Sequence, residues 1–287
     1  MVMKGIDISH WQADIYIPGI ADEIDFCIIK ATEGIGYTDP SFSEFAQDVL
    51  ACNLLFGFYH FARENNPSSE ARFFYNRVLP YLGKGIPVLD YEVTNPNNAK
   101  WCEEFCSAFK ELSGIYPMLY TAASWLPMFN GSWLPEKVAL WLAGYPYEAK
   151  KFTYDEMPYS SSPWENASLW QFTSSLKLLG YGGRVDANYA YIDAAQWKAL
   201  ESGNTPGKGN ETMHCLFKPD NQEFMVYYDG VNAHKLCHPD EMEAIQKVAR
   251  NTIGRDLPVF ELGDEKAPWA HRFLDAIAHK APELKHM

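Results

Sequence analysis

The sequence predicts an α/β barrel of parallel strands, its last strands joined by loops, followed by a small separate α+β domain. Three observations carry that expectation. Short apolar runs alternate with amphipathic segments from the N-terminus onward, which is the signature of strand-helix units around a parallel sheet. After Trp141 the helical segments stop while apolar runs continue, so the final strands must be connected without helices. A polar, glycine-rich stretch from Glu201 to Glu211 then interrupts the chain, and the pattern beyond it changes. The expected domains are residues 1–200 (barrel), 201–211 (linker) and 212–287 (second domain). An open doubly wound sheet is the alternative, disfavoured because no glycine-rich phosphate loop follows the first strand.

Taken in order, the strand candidates of the first domain are residues 5–9, 26–32, 54–61, 86–92, 117–121, 138–143, 168–172 and a short 184–186. Asp39-Pro40 opens a helix that runs to Cys52, with proline in its first turn. Ser68-Ser69-Glu70 starts a second, running to Leu82 and stopped by Gly83. Residues 97–113 form a third, with Trp101, Phe105, Ala108, Phe109 and Leu112 on one face and Gly114 as its stop. Residues 122–129 give a weaker one, broken by Pro127. The segments 144–166 and 173–183 are rich in Pro, Tyr, Ser and Gly and read as loops. In the second domain, strands are expected over 212–218, 223–228 and 233–236, with Asp229-Gly230 as a hairpin turn. A helix over 239–251, a strand over 257–262 and a helix over 269–279 complete a module of ~75 residues, near the lower limit for folding alone.

Composition narrows the function. A length of 287 residues with 47% hydrophobic and 15% aromatic content describes a globular protein with a large core. The net charge of −13 argues against nucleic acid or an anionic membrane as partner. No apolar run reaches the length of a membrane span, so membrane insertion is not expected. Met1 leads directly into the first strand without a secretory signal, so the chain is expected in the cytoplasm until something releases it. The six cysteines are scattered; Cys102 and Cys106 share a helix face, but no further Cys or His completes a metal set. Free thiols, no metal and no cofactor are expected.

The chemistry concentrates in Pro87-Val88-Leu89-Asp90-Tyr91-Glu92. Side chains two apart on a strand share a face, with Cβ atoms about 6–7 Å apart. Two acids on one face of a buried strand are costly unless paired or employed. Neighbouring acids resist ionising together, which keeps one proton at neutral pH. Glycosidic cleavage uses that combination of one acid and one carboxylate. The plain alternative is that Asp90 and Glu92 merely end the strand. The other strand ends weigh against it. They carry Asp7, then Lys30, then Tyr59-His60, then the acid pair, then Tyr120, Trp141, Gln171 and Asp186. In a parallel barrel such positions meet at one mouth. Individually, Asp7 and Asp186 also fit structural acids, Lys30 a neutralising cation, Trp141 and Trp170 core residues, and His10 and His60 packed histidines.

Gly5-Ile6-Asp7-Ile8-Ser9, the run Ile28 to Gly34, the run Gly57 to Arg63, Asp90 with Glu92, the run Leu169 to Thr173, and Val185-Asp186-Ala187-Asn188 resemble the family 25 glycoside hydrolases, the Chalaropsis-type lysozymes. The resemblance spans about residues 3–200, in the family's order. It implies an irregular (β/α)5β3 TIM-like barrel and cleavage of the β-1,4 bond between N-acetylmuramic acid and N-acetylglucosamine in bacterial peptidoglycan. By position it implies Glu92 as general acid, Asp90 as either support for the substrate's 2-acetamido group or direct nucleophile, and Asp7 and Asp186 as further catalytic-site acids. Lys30, Tyr59, Tyr120, Trp141 and Gln171 are the expected substrate contacts. Glu33 reads as a loop acid and is left out. The resemblance also implies an endolysin setting, with release from the host cytoplasm by a holin. Competing functions are another glycosidase of chitinase type and a non-catalytic peptidoglycan-binding protein. By analogy the second domain would bind the cell wall, through Tyr227, Tyr228, Trp269, His234 and His238; self-association through it is the alternative.

Overall fold

Apolar runs buried on both faces build the barrel strands, as expected for a sheet wrapped into a barrel and covered by helices. In the computed structural model of the protein, residues 2–95, 97–153, 156–203, 214–219, 224–229, 233–253, 256–262, 270 and 272 are described. The chain divides into two units, Met1–Gly207 and Lys208–Met287.

The first unit contains β1 (Met3–Ile8), β2 (Phe26–Glu33), β3 (Tyr37–Thr38), α1 (Phe42–Ala51), β4 (Leu55–Phe61), α2 (Pro67–Val78), β5 (Ile86–Asp90), α3 (Asn98–Ser113), β6 (Met118–Ala122), α4 (Leu134–Lys137), β7 (Leu140–Ala143), β8 (Leu169–Leu176), β9 (Val185–Ala190) and α5 (Ala194–Glu201). The sheet order is β1-β9-β8-β7-β6-β5-β4-β2-β3, and β1 also pairs with β2, which closes eight strands into a barrel with β3 as a hairpin arm. All pairings from β1 through β2 and β4 to β8 are parallel. The exception is β9, antiparallel to both β8 and β1. The expectation of an all-parallel barrel is corrected there.

Inside the barrel, side chains pointing inward run from apolar to polar along each strand. Phe26 and Ile28 precede Lys30, Ile86 and Val88 precede Asp90, and Met118 precedes Tyr120, the first members of each set joining one buried cluster. Gly5 leaves the space that the Phe26 ring fills; a Cβ there would lie 2.3 Å from it. Helix α5 closes the apolar end. Trp197, fully buried, lies 4.9 Å from the Phe26 ring and donates its indole N–H to the Phe56 carbonyl at 3.1 Å. Its start is fixed by a capping box between Asp193 and Gln196. The barrel is therefore plugged at one end and polar at the other.

Several boundaries differ from expectation for local reasons. β5 ends at Asp90, so Glu92 lies just beyond the strand. α2 starts at Pro67 under an Asn66 cap and gives way to a 3-10 turn over Leu79–Tyr81, because Pro80 cannot continue an α-helix. Residues Ala123–Phe129 form a 3-10 helix around Pro127. Gly114 ends α3 in the left-handed region at φ 79°, as its position predicts.

The second unit contains β10 (His214–Pro219), β11 (Val226–Asp229), β12 (Ala233–Lys235), α6 (Pro239–Ile253) and β13 (Val259–Leu262). Its sheet order is β12-β11-β10-β13, with β13 parallel to β10 and the other pairings antiparallel. Tyr228 belongs to its core and Tyr227 stacks on His234, which makes Tyr228 a packing residue rather than an exposed contact. Gln246 of α6 holds the Leu257 backbone by two hydrogen bonds, 2.7 and 3.0 Å long. The turns at 220–223 and 230–232, Trp269 and most of the expected last helix lie outside the described residues.

Candidate active site

The polar end of the barrel opens into a cleft of about 220 Å³, lined by Asp7, Lys30, Tyr59, Asp90, Glu92, Tyr120, Trp141, Gln171 and Asp186 among others. All nine residues singled out from the sequence meet there. Asp186 reaches it differently from the rest. It sits near the start of β9, and because β9 runs antiparallel, that start lies at the mouth, directly across the ladder from Asp7.

Asp7 is fixed by two amides whose orientation is dictated by donor-only or donating partners. Trp141 donates its indole N–H to Asn188 Oδ1 at 2.8 Å, which turns Asn188 Nδ2 onto Asp7 at 2.7 Å. The hydroxyls of Tyr120 and Tyr145 both donate to Gln171 Oε1, at 2.7 and 2.5 Å, which turns Gln171 Nε2 onto both Asp7 oxygens at 2.9 and 3.1 Å. Burial raises the pKa of both phenols far above the ordinary tyrosine value, so they remain donors. Burial pushes the Asp7 carboxyl up to about 6, moderated by the Asn188 and Gln171 donors. Asp186 is pushed up to about 8 by burial and by the neighbouring charges of Asp7 and Glu92. Of the two, Asp186 is pushed more strongly toward its protonated form.

Asp90 and Glu92 form the second pair. Asp90 is 7% exposed, whereas Glu92 stands exposed at the mouth. The two carboxyls are near enough to shift one another's titration. Burial raises both, and the Glu92 charge raises Asp90 further. Asp90 Oδ1 is buried and has no hydrogen-bond partner among the described residues. Burial and the mutual charge favour a proton retained by the pair.

Lys30 is buried beside these acids, its ammonium 4.8 Å from the Phe61 ring centre, and its charge lowers both members of the pair. Its direct partner is Glu33 at 2.6 Å. Arg63 bonds Glu33 from the other side at 2.6 and 2.9 Å. Glu33, set aside as a loop acid, therefore fixes the one cation that lines the described cleft. His60 is a packed histidine: Nε2 donates to buried Glu70 at 2.8 Å and Thr32 lies 2.8 Å from Nδ1. Burial lowers its pKa and keeps it neutral.

Three residues of the site were not picked out from sequence. Asn188 lay inside a quoted motif, and its alternation with Asp186 on β9 was the signal for it. Tyr145 stands in a loop without periodicity, and Glu33 pairs with a residue only three positions away.

The family description Glycosyl hydrolases family 25 matches residues 6–181. Lysozyme M1 of Streptomyces globisporus is 30% identical over 223 residues, covering 69% of this chain and 71% of that protein. The bacterial lysozyme structure from Streptomyces coelicolor superposes with a TM-score of 0.59 at 26% identity, over 71% of this chain and 98% of that one. The muramidase structure from Trichobolus zukalii does so with a TM-score of 0.56 at 30% identity, over 70% and 99%. With a match that runs through most of the barrel and takes in Asp7, Asp90 and Glu92, this chain belongs to the glycosyl hydrolases of family 25.

Proposed function

We propose that this protein is a muramidase, cleaving the β-1,4 bond between N-acetylmuramic acid and N-acetylglucosamine of bacterial peptidoglycan, with Glu92 as the proton donor and Asp90 as its partner. The carrying observation is the meeting of the two carboxyls, one buried and one exposed at the mouth, in a single cleft with Asp7 and Asp186. Direct attack by a carboxylate uses a separation of about 5–5.5 Å, and inversion through a water about 6.5–9.5 Å. Of the retaining routes we take attack by the substrate's own acetamido oxygen, which calls for an acceptor such as buried Asp90 beside the acetamido group rather than a carboxylate at bonding distance from the anomeric carbon.

In that reaction the proton held by the pair moves to Glu92, which delivers it to the departing glycosidic oxygen as the acetamido oxygen bonds to the anomeric carbon, and Asp90 is left ionised. Asp90, with its unsatisfied Oδ1, orients the acetamido N–H and stabilises the positive charge that develops. Glu92 then takes a proton from the water that opens the ring intermediate. Asp7, held as an acceptor by three amide contacts, and neutral Asp186 set the field around the reacting carbon. Residues 212–287 anchor the enzyme to the wall in this reading, which raises the local concentration of an insoluble substrate.

Glu92→Gln tests the assignment. It is expected to lower turbidity clearance of cell walls by at least about 10²-fold while leaving the melting temperature near wild type. Mass analysis of wild-type products should show muramic-type reducing ends; glucosamine-type ends, or clearance by the variant, refute the reading.

A further inference from the structure

We infer that Trp11, His10 and Tyr37 form an aromatic ridge that binds a sugar ring of the glycan strand beyond the cleavage point. The inference rests on the muramidase reading and extends it to a binding site outside the acid pairs. Trp11 lines the same cleft as the four acids, yet 79% of its surface is exposed. An indole left open to water gains nothing from burial, so a large, exposed, rigid ring beside a cleft is a candidate contact surface.

Its rigidity is visible in the backbone. Ser9 N–H donates to Gln12 Oε1 at 3.1 Å, His10 N–H to Asp39 Oδ2 at 3.1 Å, and Trp11 N–H to Ser9 Oγ at 3.3 Å. Three successive amides are thus held by side chains, none of them a catalytic acid. The His10 ring backs the indole, with centres 4.7 Å apart. Buried Asp39 fixes that imidazole through Nδ1 at 2.9 Å. Tyr37 stands edge-on to the His10 ring, 5.9 Å away, and its hydroxyl sits 3.1 Å from Nδ1. Lys30, a lining residue of the cleft, lies 5.6 Å from the Tyr37 ring. The ridge is therefore continuous with the cleft at two points, Trp11 and Lys30, and its occupant is the next pyranose ring of the same strand. The C–H face of a pyranose stacks on an indole, and a preset platform loses little freedom on binding.

The probe is a soluble, uncrosslinked glycan strand of alternating N-acetylglucosamine and N-acetylmuramic acid, titrated into full-length Glu92→Gln and Glu92→Gln/Trp11→Ala. Binding is expected to weaken about fivefold to tenfold, the size of one aromatic stacking contact, with Trp11→Tyr restoring most of it. In the active enzyme, Trp11→Ala should raise KM by a similar factor and leave kcat within about twofold. Shielding of tryptophan fluorescence from acrylamide by the strand should disappear with Trp11. Equal strand binding by the Trp11→Ala variant, with cleavage by the parent intact, overturns the ridge alone. A parent that neither binds nor cleaves the strand overturns the ridge and the muramidase reading together.

Discussion

Asp7 and Asp186 face one another across β1 and β9; Asp7 lies deeper and is richer in donors, Asp186 is half-buried with fewer. Asp7 receives three amide hydrogen bonds, while Asp186 has burial and two negative neighbours working against its charge. The native state therefore holds a proton on Asp186 that the unfolded chain, with a carboxyl near 3.8, gives up. Between those values the folded protein binds more protons, so stability falls as pH rises from about 4 to about 8 and the loss is complete above that window. Asp186→Asn should flatten this dependence, narrowing the difference in Tm between pH 5 and pH 8.5 by several degrees, at about 2–4 °C for each kcal/mol. Calorimetry at the two pH values decides it; an unchanged difference rules out a buried proton on Asp186. The four acids were legible from sequence because acids in apolar strands are conspicuous. Their unequal hold on a proton was not. It depends on Trp141, Asn188, Tyr120, Tyr145 and Gln171, contacts that join residues up to 181 positions apart.

Helix α2 contributes to the site through one buried carboxylate. Glu70 accepts from the Arg63 and Asn65 amides, from the Asn65 side chain at 2.8 Å and from His60 at 2.8 Å. This clasp fixes the β4–α2 turn, from which Arg63 reaches Glu33 and so sets Lys30. Glu70→Ala leaves a buried histidine and two amides without a partner. It should cost about 1–3 kcal/mol for each buried group left unsatisfied, seen as a Tm lower by about 10 °C, and should also reduce turnover at temperatures where the protein remains folded. A loss below about 1 kcal/mol by denaturant titration would show the clasp to be replaceable. Element positions were largely readable from apolar periodicity, while strand direction was not. An inward-outward alternation is the same read either way, so β9 passed for another parallel strand and its length was underestimated. Helix α5 was readable but missed: Asp193 and Gln196 spell a capping box ahead of Trp197 and Leu200.

The barrel depends on the helix that plugs its apolar end. Eight strands close on themselves through β1 with both β2 and β9, so hydrogen bonding within the sheet is complete by Ala190. Packing is not complete there. Trp197 and Leu200 of α5 cover Phe26 and the apolar floor, and both are buried. Two truncations separate these contributions. A chain ending at Gly207 keeps every element of the first unit and should melt cooperatively, turning over soluble glycan strands within about twofold of the full protein. Its sedimentation with intact cell walls should drop sharply if residues 212–287 are the anchor; undiminished sedimentation removes that role. A chain ending at Ile192 loses the plug, and removal of a buried tryptophan alone costs about 3–5 kcal/mol. That chain should be insoluble or unfolded at 37 °C, although it retains all four acids and the whole closed sheet. If it folded and hydrolysed peptidoglycan as well as the longer truncation, the interior packing under the cleft would have no part in holding the site together.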